Sequence, residues 1–232
     1  GGGQIGSLQA ETIYVRIPRL NPKGAMARFG GIGRGAARDL IALLDEEPMG
    51  FATAYGIDPA AFDGEGAIRF EIGRPMRRHV AVEDVDFEVT AQFENVSGPA
   101  GVGDVRFTDA DVELVANPDG LLGTGEADLA GSRASIRWEE SFNTPEDQPS
   151  TLITVSSIAG AGTLDQFGLP VRRFLNGPVG VDARLLGNGF DFRNATLTLD
   201  MADAAIALPG ELWQKPPGVP AAATLTLSIE PN

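Results

Sequence analysis

Asp84-Val85-Asp86-Phe87-Glu88-Val89-Thr90-Ala91-Gln92-Phe93 is the stretch that decides the fold. In an extended chain Val85, Phe87, Val89, Ala91 and Phe93 fall on one side, and Asp86, Glu88, Thr90 and Gln92 on the other. That alternation is the signature of a half-buried β-strand. Gly66 to Ile72 repeats it, with Ile68, Phe70 and Ile72 opposite Arg69 and Glu71. Many strands of this kind build one large, single-sided apolar surface, and what covers that surface is the functional question.

Working outward, strands are predicted at about 12–17, 25–29, 49–55, 66–73, 83–94, 103–108, 110–116, 122–130, 132–139, 150–158, 177–186, 189–199, 203–208 and 221–229. Turn signals such as Asn117-Pro118-Asp119-Gly120 and Gly187-Asn188-Gly189 separate them. The pattern pauses twice. Ala36 to Leu44 reads as a helix with Leu40, Ile41, Leu43 and Leu44 on one stripe, ended by Asp45-Glu46-Glu47-Pro48. A second short helix is expected near Leu164 to Phe174, and Asn143 to Ser150 reads as an exposed loop. The chain never settles into βαβ alternation. The expected fold is therefore mostly β: a curved, largely antiparallel sheet forming an open groove, built from about two repeats, with two short helices.

The repeat is visible in the residues. Ala54-Tyr55-Gly56-Ile57-Asp58-Pro59-Ala60-Ala61-Phe62-Asp63-Gly64 lines up with Gln166-Phe167-Gly168-Leu169-Pro170-Val171-Arg172-Arg173-Phe174-Leu175-Asn176-Gly177. Gly56 and Gly168 are 112 positions apart, as are Phe62 and Phe174. Both copies lead into an alternating strand, Ala67 to Ile72 and Val179 to Leu185. One such unit cannot bury its own oily face, so stacking of units is expected. The chain reads as a single β-groove fragment, 1–232, with units of about 36–160 and 161–232, the second incomplete.

Composition narrows the function classes. A net charge of −14 argues against nucleic acid, which needs a basic stripe that Arg77-Arg78 and Arg172-Arg173 do not supply. It also disfavours docking on an anionic membrane surface. With no cysteine, disulfides, zinc thiolates and thiol nucleophiles are excluded. There is neither a signal peptide nor an apolar run long enough for a membrane span. The chain begins at Gly1, and both ends read as mid-pattern, so an internal piece of a longer protein is expected.

Leu40 to Gly64 combines an apolar helix end, a proline, Gly56-Ile57-Asp58-Pro59 and Phe62-Asp63-Gly64. The tail carries Asp200-Met201-Ala202-Asp203-Ala204-Ala205-Ile206-Ala207-Leu208-Pro209, then Trp213-Gln214-Lys215-Pro216-Pro217-Gly218-Val219-Pro220-Ala221. Together with the Gly125 to Gly131 hairpin, these segments resemble the AsmA-like proteins of the Gram-negative envelope, particularly the YhdP branch, over about residues 35–232. The resemblance implies a long periplasmic β-groove whose parent protein is anchored in the inner membrane and reaches toward the outer membrane. It implies a bridge-like conduit that shields phospholipid acyl chains in transit. The implied partners are those acyl chains, adjacent β-repeats of the same longer chain and other envelope proteins, with no catalytic residue, metal or cofactor.

The physics of such a groove is simple. Each buried methylene gains about 0.8 kcal/mol against water, so two chains of about 16 carbons gain roughly 25 kcal/mol. Against a bilayer the gain is near zero, since the tails already sit in oil. A greasy groove thus keeps a lipid dry without trapping it. The candidate wall residues are Ile68, Phe70, Phe87, Val89, Phe93, Leu114, Ile136, Ile153, Val181, Leu197, Leu199, Leu225 and Leu227. The alternative is a non-enzymatic structural or interaction β-domain in which the same residues form a closed, dry core. Two facing sheets about 10 Å apart would favour that module, and a third candidate, a sugar-binding β-domain, needs an exposed Trp beside carboxylates.

Other chemistry is weaker. Gly31-Ile32-Gly33-Arg34-Gly35-Ala36 has the order of a dinucleotide fingerprint, but no further βα units follow, and a glycine-rich turn is expected instead. The single histidine, His79, has neither cysteine partners nor a nucleophile motif and reads as a surface-loop residue. Asp109 and Asp111, Glu139 and Glu140, and Asp45 to Glu47 offer carboxylate pairs that any acidic β protein would carry. Asp84-Val85-Asp86 and Asp109-Ala110-Asp111 lack the spacing of a calcium loop. Trp138 is in phase with Ala134 and Ile136 and is expected on the oily face, while Trp213 is expected over a strand end.

Overall fold

In a computed structural model most of the strands form one large antiparallel sheet, beside a small three-stranded one. The structure describes residues 3–5, 8–19, 24–45, 51–81, 84–101, 104–145, 147–208, 210 and 213–228. The strands are β1 (Gly3–Ile5), β2 (Leu8–Arg16), β3 (Met26–Ala36), β4 (Asp63–Pro75), β5 (Asp86–Pro99), β6 (Arg106–Asn117), β7 (Gly120–Leu129), β8 (Ser132–Ser141), β9 (Thr151–Ala159), β10 (Leu175–Asn176), β11 (Val179–Asn188), β12 (Asp191–Asp200), β13 (Ala205–Ala207), β14 (Gln214–Lys215) and β15 (Ala222–Ser228). The helices are α1 (Ala37–Leu44), the single turn α2 (Phe51–Ala54) and α3 (Ala161–Gln166), with a 3-10 turn at Pro59–Ala61. The main sheet has 12 strands in the order β1-β2-β3-β4-β5-β6-β7-β8-β9-β11-β12-β15, and β1 and β15 are its two edges. It is a meander left open, as the alternation and the regular turns predict.

Register makes the sheet two-sided throughout. Gly33, Ile68, Ala91, Leu114, Gly123, Trp138, Ile153, Leu185, Ala195 and Leu227 succeed one another as cross-strand partners. They line up as one apolar row across ten strands. The row beside it passes through Phe93, Val112, Ile136, Val155, Leu197 and Leu225. On the reverse face the corresponding row is polar, running Arg34, Ala67, Gln92, Glu113, Thr124, Arg137, Thr154, Arg184, Thr196 and Thr226. Side chains alternate strictly in a strand, so one register fixes both faces.

The oily face is concave. A Cβ placed on Gly101, at the tip of the β5–β6 hairpin, would lie 3.6 Å from the ring of Phe190 in the β11–β12 turn. A flat sheet would hold those hairpins roughly 20 Å or more apart at the usual strand spacing. Paired irregularities help to bend it. Asn95 in β5 and Asp109 in β6 both take left-handed backbone angles (φ 53° and 49°) at breaks in register. The Asp111 carboxylate accepts the Asn95 backbone N–H at 3.0 Å, which ties the two bulges together. Bulges of this kind bend and twist the strands that carry them.

Two plugs sit on the concave face. α1 lays Leu40, wholly buried, against Ile68, Phe93 and Ala91, with Phe62 and Phe107 packed alongside. Gly66 makes that contact possible, because a Cβ there would lie 2.9 Å from Leu40 Cδ1 and 2.8 Å from Phe93. Further along, α3 and a small sheet of order β10-β13-β14 cover Val179 and Leu199 with Leu164, Leu175 and Ala204. The two segments aligned in the sequence take matching backbone signs. Gly56 and Gly168 follow α2 and α3 at φ +66° and +81°, and Gly64 and Gly177 lead into β4 and β11 at +115° and +113°.

Five expectations are corrected. Gly31 to Ala36 is not a turn but the end of strand β3, paired with both β2 and β4. Its glycines lie under neighbours: a Cβ on Gly30 would meet the Tyr14 ring at 2.5 Å, and one on Gly31 would meet Phe70 at 3.1 Å. Of the strand expected at 49–55, residues 51–54 form the helical turn α2, and 49–50 lie outside the described residues, as does 46–48 of the predicted helix end. The strands expected at 103–108 and 110–116 are the single strand β6, because the bulge at Asp109 shifts the phase without ending the pairing. The second helix covers Ala161–Gln166 rather than 164–174, since Gly168 turns left-handed and Pro170 follows. The strand placed at 203–208 shortens to β13 (Ala205–Ala207), and the small sheet it joins was not anticipated.

Truncating Leu40 to Ala should cost about 2–5 kcal/mol, since a fully buried leucine leaves a cavity its neighbours cannot fill. Chemical denaturation should show an earlier midpoint, with the strand signal in circular dichroism unchanged before the transition.

Candidate functional site: the concave apolar face

All thirteen wall candidates lie on the concave face. Ile68, Phe70, Phe87, Val89 and Phe93 stand on β4 and β5, Leu114 on β6, Ile136 on β8 and Ile153 on β9. Val181, Leu197, Leu199, Leu225 and Leu227 continue the face over β11, β12 and β15. Their burial differs. Ile68, Val89, Phe93 and Leu199 are sealed by the plugs, and Phe70, Phe87, Leu114, Ile136, Ile153, Val181, Leu197 and Leu225 are half-buried. Leu227, at the β15 edge, is 54% exposed. At the opposite margin Ile13 and Val15 of β2, in register with Gly31 and Phe29, are 51% and 59% exposed. The face thus stays apolar out to both open margins, where the protein leaves it in water.

The convex face is stitched by charge. Glu71 accepts from the Tyr14 hydroxyl at 2.6 Å and pairs with Arg28, which also approaches Asp86 at 3.8 Å. The Tyr14 hydrogen bond, with the Arg28 guanidinium, holds the Glu71 carboxyl below its ordinary range. Arg34–Glu11, Arg133–Glu126 and Arg137–Glu139 repeat the theme at 2.7, 3.2 and 2.6 Å. Such exposed pairs add little stability but keep this face wet.

Near one end of the concave face, on the central strand β8, an aromatic group stands over the trough. Trp138 of β8 meets Tyr55 edge-on at 6.0 Å and Phe190 at 5.5 Å, and Phe190 meets Phe192 at 6.1 Å. Trp138 thus stands on the oily side, in phase with Ile136 and Ala134. Tyr55 arrives from the β3–β4 connection, whose α2 turn is anchored by Asp45. The Asp45 carboxylate accepts the backbone N–H and the hydroxyl of Thr53 at 2.6 and 2.7 Å. Those two bonds pull the Asp45 carboxyl below its usual range.

Beside this group lies the one acidic side chain that residue reasoning misplaced. Glu140 shares the concave face with Ile136 and Trp138, is 5% exposed, and takes a hydrogen bond from the Thr151 hydroxyl at 2.5 Å. The Trp138 indole N–H donates to it at 3.4 Å. The signal was its phase, two residues on from Trp138. Buried polar groups need partners, and Glu140 finds neutral ones.

The Trp213-Gln214-Lys215-Pro216-Pro217-Gly218 turn also acquires a physical role. Lys215 is 3% exposed, and its ammonium donates to the carbonyls of Ala202, Ala204 and Pro216 at 2.9, 2.7 and 3.1 Å. It clamps β14 onto the turn after β12. Trp213 remains half-exposed.

No described cluster of His, Cys, Asp or Glu could hold a metal, and His79 is an exposed loop residue. Among the described residues no helix is long and apolar enough to cross a membrane. Comparison with family models, curated proteins and solved structures finds no match to this chain.

Two measurements follow. Replacing Lys215 by Met strands three carbonyls and should cost about 2–3 kcal/mol in denaturant titration. Both tyrosines should resist ionisation. The Glu71 hydrogen bond raises Tyr14, and burial with Glu140 nearby raises Tyr55. The folded state then keeps protons that the unfolded chain releases near pH 10. Stability from this source is intact below about pH 10 and declines as pH rises beyond it. Near-ultraviolet phenolate absorbance should therefore emerge together with alkaline unfolding, not before it.

Proposed function

We propose that this chain is a non-enzymatic segment of a lipid conduit, in which the concave face shields phospholipid acyl chains from water. The observation that carries this reading is the continuity of the apolar rows. They run in register from β3 to β15 and stay exposed at both margins, at Ile13 and Val15 and again at Leu227. Apolar surface at an open sheet margin marks a place where something apolar binds. An open edge also offers unpaired backbone to a further strand, so adjacent β-repeats of a longer chain would extend the same trough.

The motifs that resemble AsmA-like envelope proteins point the same way. On that reading the segment works in the periplasm of a Gram-negative envelope, in a protein anchored in the inner membrane, and serves outer-membrane lipid homeostasis. The energetics suit the task. A tail gains heavily over water and almost nothing over a bilayer. It is therefore held dry and released freely. α1 and α3 then act as fixed plugs that set which stretches of the face a tail can occupy.

One observation favours the second reading, a closed structural β-domain. Leu40, Ile68, Phe93 and Leu199 are sealed by the chain's own segments, as in an ordinary core. Site-specific photo-crosslinkers separate the two. At Ile153 and Leu227 on the concave face they should capture phospholipid in cells, while at Thr154 and Thr226 on the convex face they should not. Equal capture at all four positions, or capture at none with the fold intact, leaves the closed domain as the answer.

A further inference from the structure

A cleft of about 400 Å³ opens at the end of the concave face where β8 leaves the sheet. Tyr55, Glu140, Phe142, Gln148 and Asn188 line it. Its floor is Glu140, only 5% exposed and held by three neutral donors, the Thr151 hydroxyl, the Trp138 indole N–H and the Tyr55 hydroxyl. Among the described residues no Arg, Lys or His forms an ion pair with it, whereas seven ion pairs engage exposed or half-buried acids elsewhere. A buried carboxylate with only neutral donors lacks the positive charge that ordinarily offsets its desolvation. Two of its nine lining residues are aromatic, and most of the others are polar. Tyr55 faces the cleft, and Phe142, 39% exposed, stands at its rim. An aromatic ring beside a carboxylate attracts an organic cation, through the ring quadrupole and the charge together.

We propose that this cleft binds an organic ammonium group, primary or quaternary, with Glu140 as its counter-ion and Tyr55 and Phe142 as its aromatic walls. The volume accommodates such a group with room for the atoms attached to it. Gln148 and Asn188 supply amide partners for those atoms; the Asn188 side-chain oxygen already accepts the Ser150 backbone N–H at 3.0 Å, which fixes its orientation. An anionic group is disfavoured by Glu140. The same chemistry comes in two forms, the headgroup of a zwitterionic phospholipid or a free amine. The site does not depend on the conduit reading, since a free amine would fill it equally well.

The test uses the intrinsic fluorescence of Trp138 in the whole chain, with Trp213→Phe removing the other of the two tryptophans. The probes are choline, ethanolamine, and short-chain phosphatidylethanolamine and phosphatidylglycerol of equal chain length, below their micelle concentrations. The expected result is a saturable change with the ammonium probes and none with phosphatidylglycerol. Glu140→Gln should weaken it by at least about tenfold, as befits loss of a charge-assisted contact. Glu139→Gln, on the convex face, should leave it unchanged. Should Glu140→Gln unfold the protein, Gln148→Lys in the exposed rim supplies an internal ammonium and should block binding without touching the core. Saturation by choline or ethanolamine alone assigns the site to free amines, while saturation by the lipid alone assigns it to a headgroup. Equal response to phosphatidylglycerol, no saturable response to any ammonium probe, or full affinity in both Glu140→Gln and Gln148→Lys overturns the proposal. Lipid capture at Leu227 is read separately, so loss of the conduit reading and loss of this site produce different results.

Discussion

The constraint on which everything else depends is that side chains alternate across a strand while backbone hydrogen bonds lock neighbouring strands in register. Once Ile68, Ala91 and Leu114 are placed opposite one another, register assigns one residue of every strand out to β15 to the same row, and the face stays oily only where that residue is apolar. The sequence continues that row. Polar residues collect on the reverse face, where Arg28, Glu71 and Tyr14 form a solvated network. A single sheet of this kind cannot bury its oily face on itself unless it curls, and the bulges at Asn95 and Asp109 supply bending where β5 and β6 meet.

Curling does not suffice. The concave face needs further cover, and the chain provides it at two places through the long connections between β3 and β4 and between β9 and β11, the second joined by the segment after β12. Leu40 closes one region, and Leu164, Leu175 and Ala204 close the other. These plugs leave Ile153, Leu225 and their neighbours half-covered and the two margins bare. A compact sandwich has a second sheet across the whole of its inner face. Here two local plugs and an aromatic strap stand in its place, and on the reading proposed above an apolar guest covers the remaining surface.

Polar groups on the concave side matter because they are few. Lys215 is consumed by three carbonyls and serves the architecture. Glu140 is different: its partners are neutral, it borders a cleft, and the aromatic side chains of Trp138 and Tyr55 donate to it. Two buried ionisable groups thus take separate roles, set by what surrounds each. One closes a turn, and the other faces an opening.

Much of this was readable from the residues. Alternation is local, so Phe87, Val89 and Phe93 declared their common side without any knowledge of the partner strands, and the stripe in Ala37–Leu44 declared a helix. Glu140 was equally in phase, yet charge alone suggested water. Less local facts escaped. The glycines of β3 looked like a turn because the rings that lie over them, Tyr14 and Phe70, are 16 and 39 residues from Gly30 and Gly31. Where a strand was expected over 49–55, residues 51–54 form a helical turn, and Asp45 accepts from Thr53 within it, a bond a strand would not allow. Periodicity along the chain thus settled which side chains stand together. Which of them end up sealed, and that a carboxylate and a strap of aromatics meet at one end of the trough, depended on contacts between strands far apart in the chain. Curvature brings those strands together, and local pattern carries no information about it.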